Sequence, residues 1–171
     1  FNPPHIGHVL VAAWALAGGE LDELWVIPTG GHPFGKQLAP FDDRLELCWR
    51  AFECFGERVS LLDVEREPRV HYSIDTFKLI SQRCPPTFSY RWIMGSDTLA
   101  DAPQWKSFDE LMSLAPPLLI PRNGHGDMAA PESKTDAAAS ASGFALPDIS
   151  STFIRERLAG GDYASIKAYL P

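Results

Sequence analysis

Apolar residues along this chain fall into short clusters whose spacing alternates between that of strands and that of helices. Continuous apolar runs closed by Pro or Gly predict buried strands, and apolar residues three or four positions apart predict helices. The predicted helices are residues 9–17, 42–55, 73–81, 108–115 and 151–158, and the predicted strands are residues 24–27, 59–64, 88–94 and 118–120. Alternating strands and helices are typical of a parallel sheet with helices on both faces, so the predicted fold class is α/β and Rossmann-like.

Residues 123–148 are the exception to this regular pattern. They are rich in Ala, Ser, Gly and Pro and show little periodicity, which predicts a long variable loop. The length of 171 residues predicts a single domain over 1–171. The sequence begins with turn residues at 1–4 and ends at Pro171, so we expect both ends to be clipped.

Charge and composition exclude several classes of partner. Fifteen basic against 22 acidic residues give a net charge of −7, which argues against general binding to nucleic acid or to an anionic membrane. The longest apolar run, residues 9–17, is shorter than the roughly 20 residues that span a bilayer. The three cysteines show no C-x-x-C spacing, so we expect a reduced, cytoplasmic protein.

The first candidate site is the segment His5-Ile6-Gly7-His8, where a loop leads into a helix. If the helix starts near Gly7, the two imidazoles lie in its first turn, and Gly7 lets a ligand approach the backbone. The free amides and the positive dipole end of that turn favour an anion such as a phosphate. The alternative is that one histidine caps the helix and the other packs against it, and an isolated pair favours that interpretation.

The second candidate site is the start of the last helix, residues 149–155. Ser150 or Ser151 is a natural N-cap, and Arg155 lies about one turn further along. Backbone amides, hydroxyls and a guanidinium together suit a polyphosphate. An ordinary capped helix with Arg155 in solvent explains this segment equally well.

Two further candidates follow the strand at residues 88–94. Asp97, after Gly95, is placed to hold ribose hydroxyls at the carboxyl end of a strand, or to cap the segment 98–100. Trp105 could stack on a planar ring if it is exposed, although most tryptophans belong to the core.

Two basic side chains follow other predicted strands. Lys36 closes the loop at residues 32–36, which also contains His32, and Arg122 follows the strand at 118–120. Each is weak evidence for a phosphate site by itself.

Four segments together resemble the nucleotidylyltransferase superfamily. Residues 5–8 match its H-x-G-H signature, and residues 149–155 resemble its I-S-S-T-x-I-R signature. G-S-D-T-L at residues 95–99 with Trp105 after it, and H-Y-S-I-D-T at residues 71–76, narrow the resemblance to the bacterial nicotinate-nucleotide adenylyltransferases. The resemblance covers nearly the whole chain, but residues 123–148 match nothing in the family and Lys36 matches its loop only loosely.

The resemblance implies an enzyme that moves AMP from ATP to nicotinate mononucleotide, giving deamido-NAD and pyrophosphate in NAD biosynthesis. The mononucleotide phosphate attacks the α-phosphorus of ATP in line, so no protein nucleophile is needed. Mg²⁺ would arrive with ATP, held mainly by phosphate oxygens and water, with no dedicated protein ligand.

The same resemblance assigns roles by motif position. The catalytic residues would be His5, His8 and Arg155. The ATP-binding residues would be Gly7, His8, Gly95, Asp97, Ser151, Thr152 and Arg155. The residues that bind nicotinate mononucleotide would be Thr76, Trp105, Lys36 and Arg122.

Three other functions fit parts of the sequence. A related nucleotidylyltransferase could use nicotinamide mononucleotide or phosphopantetheine as acceptor. A metal-dependent hydrolase could use His5, His8, His32 and Asp97 as ligands, but it leaves the segment 151–155 unexplained. A nucleotide sensor without catalytic activity would keep the same pocket. The sequence leaves the oligomeric state open, a homo-oligomer included.

Overall fold

The computed structural model describes residues 1–31, 37–67, 72–96, 98, 104–120 and 149–171. The chain divides into two compact units, residues 1–71 with 149–171, and residues 72–148. Among the described residues, no helix is both long enough and apolar enough to cross a membrane.

The described residues of the first unit form three α-helices and two strands. The helices are α1 (Ile6–Ala17), α2 (Phe41–Phe52) and α5 (Ser151–Ala159), and the strands are β1 (Leu24–Val26) and β2 (Val59–Leu61). The two strands pair in parallel, with Leu24 opposite Val59 and Val26 opposite Leu61. One short 3₁₀ helix follows α2 at Glu53–Arg58, and another lies near the last residues at Lys167–Tyr169.

Two apolar clusters hold this unit together. The larger one joins α1, β1 and α2 and consists of Ala12, Val26, Cys48, Ala51 and Phe52. The other joins α5 to the end of the chain through Ile149, Ile154 and Ile166, with Ile6 of α1 packed against it. This second cluster therefore brings the start of α5 to the start of α1, although the two are far apart in sequence.

The second unit contains α3 (Ser73–Ser81), β3 (Trp92–Gly95), α4 (Phe108–Leu114) and β4 (Pro117–Ile120). The strands pair in parallel, with Trp92 opposite Pro117 and Gly95 opposite Ile120. The buried core lies between α3 and α4 and consists of Ile74, Phe77, Leu111 and Ala115. Trp92 and Trp105 are among the partly buried residues that pack against it.

The predicted α/β class with parallel strands is confirmed, and within the described residues the strands form two separate parallel pairs. The bounds of several elements differ from the sequence prediction. Helix α1 begins at Ile6 rather than at residue 9, and β3 begins at Trp92 rather than at residue 88. The predicted loop at 123–148 lies outside the described residues, and the single-domain assignment stays a prediction.

Candidate active site

Helix α1 starts with a reciprocal pair of hydrogen bonds between the two histidines of the first signature. His5 is the N-cap, with extended backbone angles. The backbone N–H of His8 donates to the His5 carbonyl at 2.8 Å, and the backbone N–H of His5 donates to Nδ1 of His8 at 3.1 Å. Because Nδ1 of His8 accepts a hydrogen bond, a neutral ring at this position carries its proton on Nε2. His8 is thereby prepared as a hydrogen-bond donor.

The imidazoles of His5 and His8 stack on one another, with ring centroids 3.8 Å apart and an interplanar angle of 34°. Phe1 packs against His8 with a centroid distance of 4.7 Å, and the His5 side chain is almost wholly buried. A Cβ atom on Gly7 would lie 3.0 Å from both Cε1 and Nδ1 of His5. Gly7 therefore leaves the space that the His5 ring fills.

Helix α5 begins with the polar residues of the second signature. The Ser150 hydroxyl accepts the backbone N–H of Phe153 at 3.1 Å, which makes Ser150 the N-cap. The Ser151 hydroxyl donates to the Pro3 carbonyl at 2.8 Å, and Arg155 donates to the Asn2 carbonyl at 2.9 Å. The two signatures, near opposite ends of the chain, are thus joined directly.

Arg155 also donates to the Thr152 hydroxyl at 3.1 Å. Its guanidinium carries five N–H groups, and these two bonds use two of them. The first turn of α5 adds backbone N–H groups that have no partner within the helix, and so does the first turn of α1. Two helix N-termini, two imidazoles and a guanidinium therefore lie in one region, an arrangement that suits a polyphosphate.

Two buried charged residues next to this region were missed in the sequence analysis. Arg44 of α2 is buried, and its Nε donates to the Ala39 carbonyl at 2.9 Å. Burial lowers the pKa of Arg44, and the nearby charge of Glu65 opposes that shift. Glu65 accepts the backbone N–H of Gly30 through Oε2 at 3.0 Å.

Arg44 and Glu65 thus fix both ends of the stretch that contains the predicted loop at 32–36. The helical spacing could have revealed Arg44, because it lies four residues before Cys48 on the face that α2 buries. Nothing in the sequence near Glu65 indicates its contact with Gly30.

The second unit holds Thr76 and Trp105, predicted to bind the mononucleotide, and Gly95, predicted to bind ATP. Trp105 is partly buried, packs against the core between α3 and α4, and meets Phe108 edge-on at 5.9 Å. Thr76 is fully buried, and its hydroxyl donates to the Tyr72 carbonyl at 3.3 Å. Gly95 is the last residue of β3. The side chain of Thr76 does not reach solvent, so its contact with a ligand stays a prediction.

The other predicted site residues, His32, Lys36, Asp97 and Arg122, lie outside the described residues. Within the described part of the chain, no group of three or more His, Cys, Asp or Glu side chains is arranged to hold a metal ion. The hydrolase alternative also needs His32 and Asp97 as ligands, so two of its four proposed ligands lie outside the described residues.

Comparison with known proteins identifies the family. A family model described as cytidylyltransferase-like matches residues 1–157. A probable nicotinate-nucleotide adenylyltransferase from Anaeromyxobacter dehalogenans is 37% identical over 166 residues, 95% of this chain and 81% of that protein. The chain belongs to the cytidylyltransferase-like family, among its nicotinate-nucleotide adenylyltransferases. A Myxococcus xanthus member of this group is 34% identical over 168 residues, 96% of this chain and 81% of its own length.

Solved structures of nicotinate-nucleotide adenylyltransferases share the fold. A Plasmodium falciparum nicotinic acid mononucleotide adenylyltransferase complexed with NaAD is similar with a TM-score of 0.75, 19% identity and coverage of 99% of this chain and 86% of that one. A putative nicotinate-nucleotide adenylyltransferase from Vibrio parahaemolyticus is similar with a TM-score of 0.66, 19% identity and the same coverage of both chains. The family and the enzyme class predicted from the motifs are confirmed, and so is the Rossmann-like fold predicted from the alternation of strands and helices.

Proposed function

We propose that this chain transfers the adenylyl group of ATP to nicotinate mononucleotide, forming deamido-NAD and releasing pyrophosphate. The observation that carries the proposal is the joint between the two signatures, in which Ser151 and Arg155 bind the carbonyls of Pro3 and Asn2. This joint supports one polyphosphate site shared by the N-termini of α1 and α5. The names of the relatives support nicotinate mononucleotide as the acceptor.

The reaction needs positioning and charge stabilisation rather than a protein nucleophile. An oxygen of the mononucleotide 5′-phosphate forms a bond to the α-phosphorus of ATP. The bond from that phosphorus to the oxygen bridging to the β-phosphorus breaks, and pyrophosphate leaves with the electron pair. Donors held in place around the transferring group stabilise its charge without having to reorganise.

The imidazoles supply such donors on the α1 side. His8 donates from Nε2, because Nδ1 is occupied by the backbone N–H of His5. The stack between the rings of His5 and His8, together with the packing of Phe1, limits the directions in which His8 can turn. We assign both histidines to the phosphates of the transition state.

The start of α5 receives the β and γ phosphates. Ser151 and Thr152 offer backbone N–H groups in the first turn, and Arg155 offers N–H groups beyond those bound to Asn2 and Thr152. Mg²⁺ accompanies ATP as part of the substrate. Its ligands would be mainly phosphate oxygens and water.

The roles of the residues that would bind the mononucleotide and the ATP ribose are assigned from their positions in the motifs. Trp105 would stack on the nicotinate ring, with Thr76 nearby, and Asp97 beside Gly95 would hold the ATP ribose. Lys36 and Arg122 would contact phosphate or the mononucleotide. The support for Trp105 is its place at the edge of a core, where one part of the indole is packed and another is accessible.

A pyrophosphate-release assay with ATP and each acceptor in turn tests the proposal. We expect turnover with nicotinate mononucleotide to exceed that with nicotinamide mononucleotide and phosphopantetheine. Turnover with phosphopantetheine alone would refute the assigned acceptor. Nucleotide binding without pyrophosphate release would instead support a sensor.

A pair of arginine variants on one helix tests the polyphosphate site. Arg155→Met should raise the KM for ATP and lower kcat, because it removes the hydrogen bond to the Asn2 carbonyl and the proposed hydrogen bonds to the phosphates. Arg157→Met is the matched control, since Arg157 also lies on α5 but pairs with Asp162 at 3.3 Å. Equal kinetics for the two variants would contradict the assignment.

A further inference from the structure

Lys106 is held on two sides at the start of the segment that leads into α4. Its ammonium lies 2.8 Å and 3.1 Å from the two carboxylate oxygens of Asp75. The same ammonium lies 4.8 Å from the ring centroid of Tyr72, within the range of a cation–π contact. Both partners belong to the segment at 72–76, which is part of one of the family motifs. The proposed chemistry gives no role to Tyr72 or Asp75.

The residues on either side of Lys106 are also constrained. Trp105 packs against the core of the second unit and against Phe108. Ser107 has a φ of 50°, a left-handed conformation that is unfavourable for a residue with a Cβ atom. Three successive residues are therefore kept in one arrangement by packing, by an ion pair and by an uncommon backbone angle.

We propose that the clasp of Lys106 by Asp75 and Tyr72 is a positioning device that fixes the indole of Trp105 for stacking on the pyridine ring of the mononucleotide. The inference rests on the proposed function, because Trp105 stacks on that ring only if nicotinate mononucleotide is the acceptor. Lys106 is adjacent to Trp105, and Asp75 is adjacent to Thr76. The clasp thus ties together the two segments that the motifs assign to the acceptor.

The ion pair is half-exposed, with 49% of the Lys106 side chain and 37% of the Asp75 side chain accessible. Exposed pairs of this kind contribute little to global stability. Removing the clasp should therefore leave the fold intact and loosen only the orientation of the indole. This expectation separates a positioning role from a purely structural one.

The chain offers a matched control in the same unit. Lys78 pairs with Glu110 at 2.6 Å, also between α3 and the region of α4, with exposed fractions of 46% and 47%. Lys78→Met removes an ion pair of similar exposure in which none of residues 105–107 takes part. Lys106→Arg serves as the conservative variant, since a guanidinium can bind a carboxylate and stack on a ring.

The first measurement is the steady-state kinetics of Lys106→Met, Asp75→Asn, Lys106→Arg and Lys78→Met in the full chain. We expect Lys106→Met and Asp75→Asn to raise the KM for nicotinate mononucleotide about fivefold, which corresponds to about 1 kcal/mol. The KM for ATP should stay within about twofold of that of the unsubstituted chain. Lys106→Arg should keep the KM for nicotinate mononucleotide close to that of the unsubstituted chain, and Lys78→Met should leave it unchanged.

The second measurement needs no substrate. In protein labelled with 5-fluorotryptophan, the ¹⁹F resonance of Trp105 is assigned by its loss in Trp105→Phe. We expect Lys106→Met to shift or broaden this resonance and Lys78→Met to leave it unchanged.

Three results would overturn the inference: equal KM values for Lys106→Met and Lys78→Met, a parallel rise in both substrate KM values, or an unchanged Trp105 resonance. Failure of the unsubstituted chain to use nicotinate mononucleotide would overturn the proposed function and this inference with it. That failure is recognised in the unsubstituted chain, whereas the other three appear only in the variants.

Discussion

Replacing Gly7 by alanine adds a single methyl group next to the buried ring of His5. The new Cβ would lie 3.0 Å from two atoms of that ring, which is closer than the 3.5–4.0 Å of ordinary carbon contacts. The ring must retreat by about half an ångström, and the ring of His8 is stacked on it at a centroid distance of 3.8 Å. The substitution therefore changes the placement of both imidazoles.

The expected effects on stability and on activity differ in size. An off-rotamer shift of His5 costs about 0.5–1.5 kcal/mol, while alanine in a helix gains about 0.5–1 kcal/mol over glycine. These contributions nearly cancel, so the free energy of unfolding should change by less than about 1 kcal/mol. A displacement approaching 1 Å at a reacting group can lower the rate about 100-fold, so we expect kcat to fall at least about tenfold.

The assay combines urea unfolding with pyrophosphate release at saturating substrates. Gly18→Ala at the other end of α1 is the control, because its Cβ would lie 3.8 Å from the nearest carbonyl oxygens and its backbone angles are helical. Gly18→Ala should keep the kcat of the unsubstituted chain. A Gly7→Ala variant with an unchanged kcat would refute the claim that Gly7 sets the position of His5.

Three further predictions follow from single contacts. His8→Asn keeps an oxygen that can accept the N–H of residue 5 but lacks the Nε2 donor. Steady-state kinetics should therefore show kcat lowered about 100-fold with little change in the KM for ATP. An undiminished kcat would contradict the role of that donor. Gly30→Ala places a Cβ 1.8 Å from the Glu65 carbonyl oxygen, so urea unfolding should show a loss of about 1–3 kcal/mol, and equal stability would contradict the geometry. Burial raises the pKa of the Cys48 thiol from its usual 9 to about 11. The contribution of the neutral thiol to the free energy of unfolding is therefore complete below pH 9 and is lost as the pH rises towards 11. Alkylation of the folded protein at pH 8, followed by mass spectrometry, should modify the exposed Cys54 and spare Cys48, and labelling of both at equal rates would count against the shift.

Apolar periodicity located the elements well where a helix has one buried face. The predicted helix at 73–81 has the observed bounds, since Ile74, Phe77 and Ile80 are buried at helical spacing. The predicted strand at 88–94 starts too early. Phe88 is exposed and its N–H bonds to the Pro85 carbonyl in a turn, a local arrangement that an apolar run cannot reveal.

The start of α1 shows a second limit of periodicity. The apolar run begins at residue 9, but the helix begins three residues earlier, at Ile6. Histidine is not among the usual N-cap residues, and glycine disfavours helix interiors, so neither residue is a strong helix signal. The phosphate-site pattern itself was a better guide here, because it placed the start of the helix near Gly7.

The motifs predicted which residues belong to the candidate site, but they could not indicate what those residues contact. Arg155 bonds to a carbonyl 153 residues away, and Ser151 to one 148 residues away. Such contacts depend on the packing of Ile6 against the cluster of α5, which no local pattern contains. Lys106 was missed for the same reason, since its partner Asp75 lies 31 residues earlier.

The two signatures are joined by hydrogen bonds from side chains of α5 to backbone carbonyls of the segment before α1. Ser151 and Arg155 bind the carbonyls of Pro3 and Asn2, two to three residues before the N-cap of α1. In the proposed reaction, a phosphate bound at the first turn of α5 would also act on the loop that leads into His5 and His8. Because a guanidinium can bind phosphate and carbonyl at once, Arg155 would couple binding of the triphosphate to the placement of the imidazoles. Such coupling would give a physical reason for two short signatures, far apart in sequence, to act as one site.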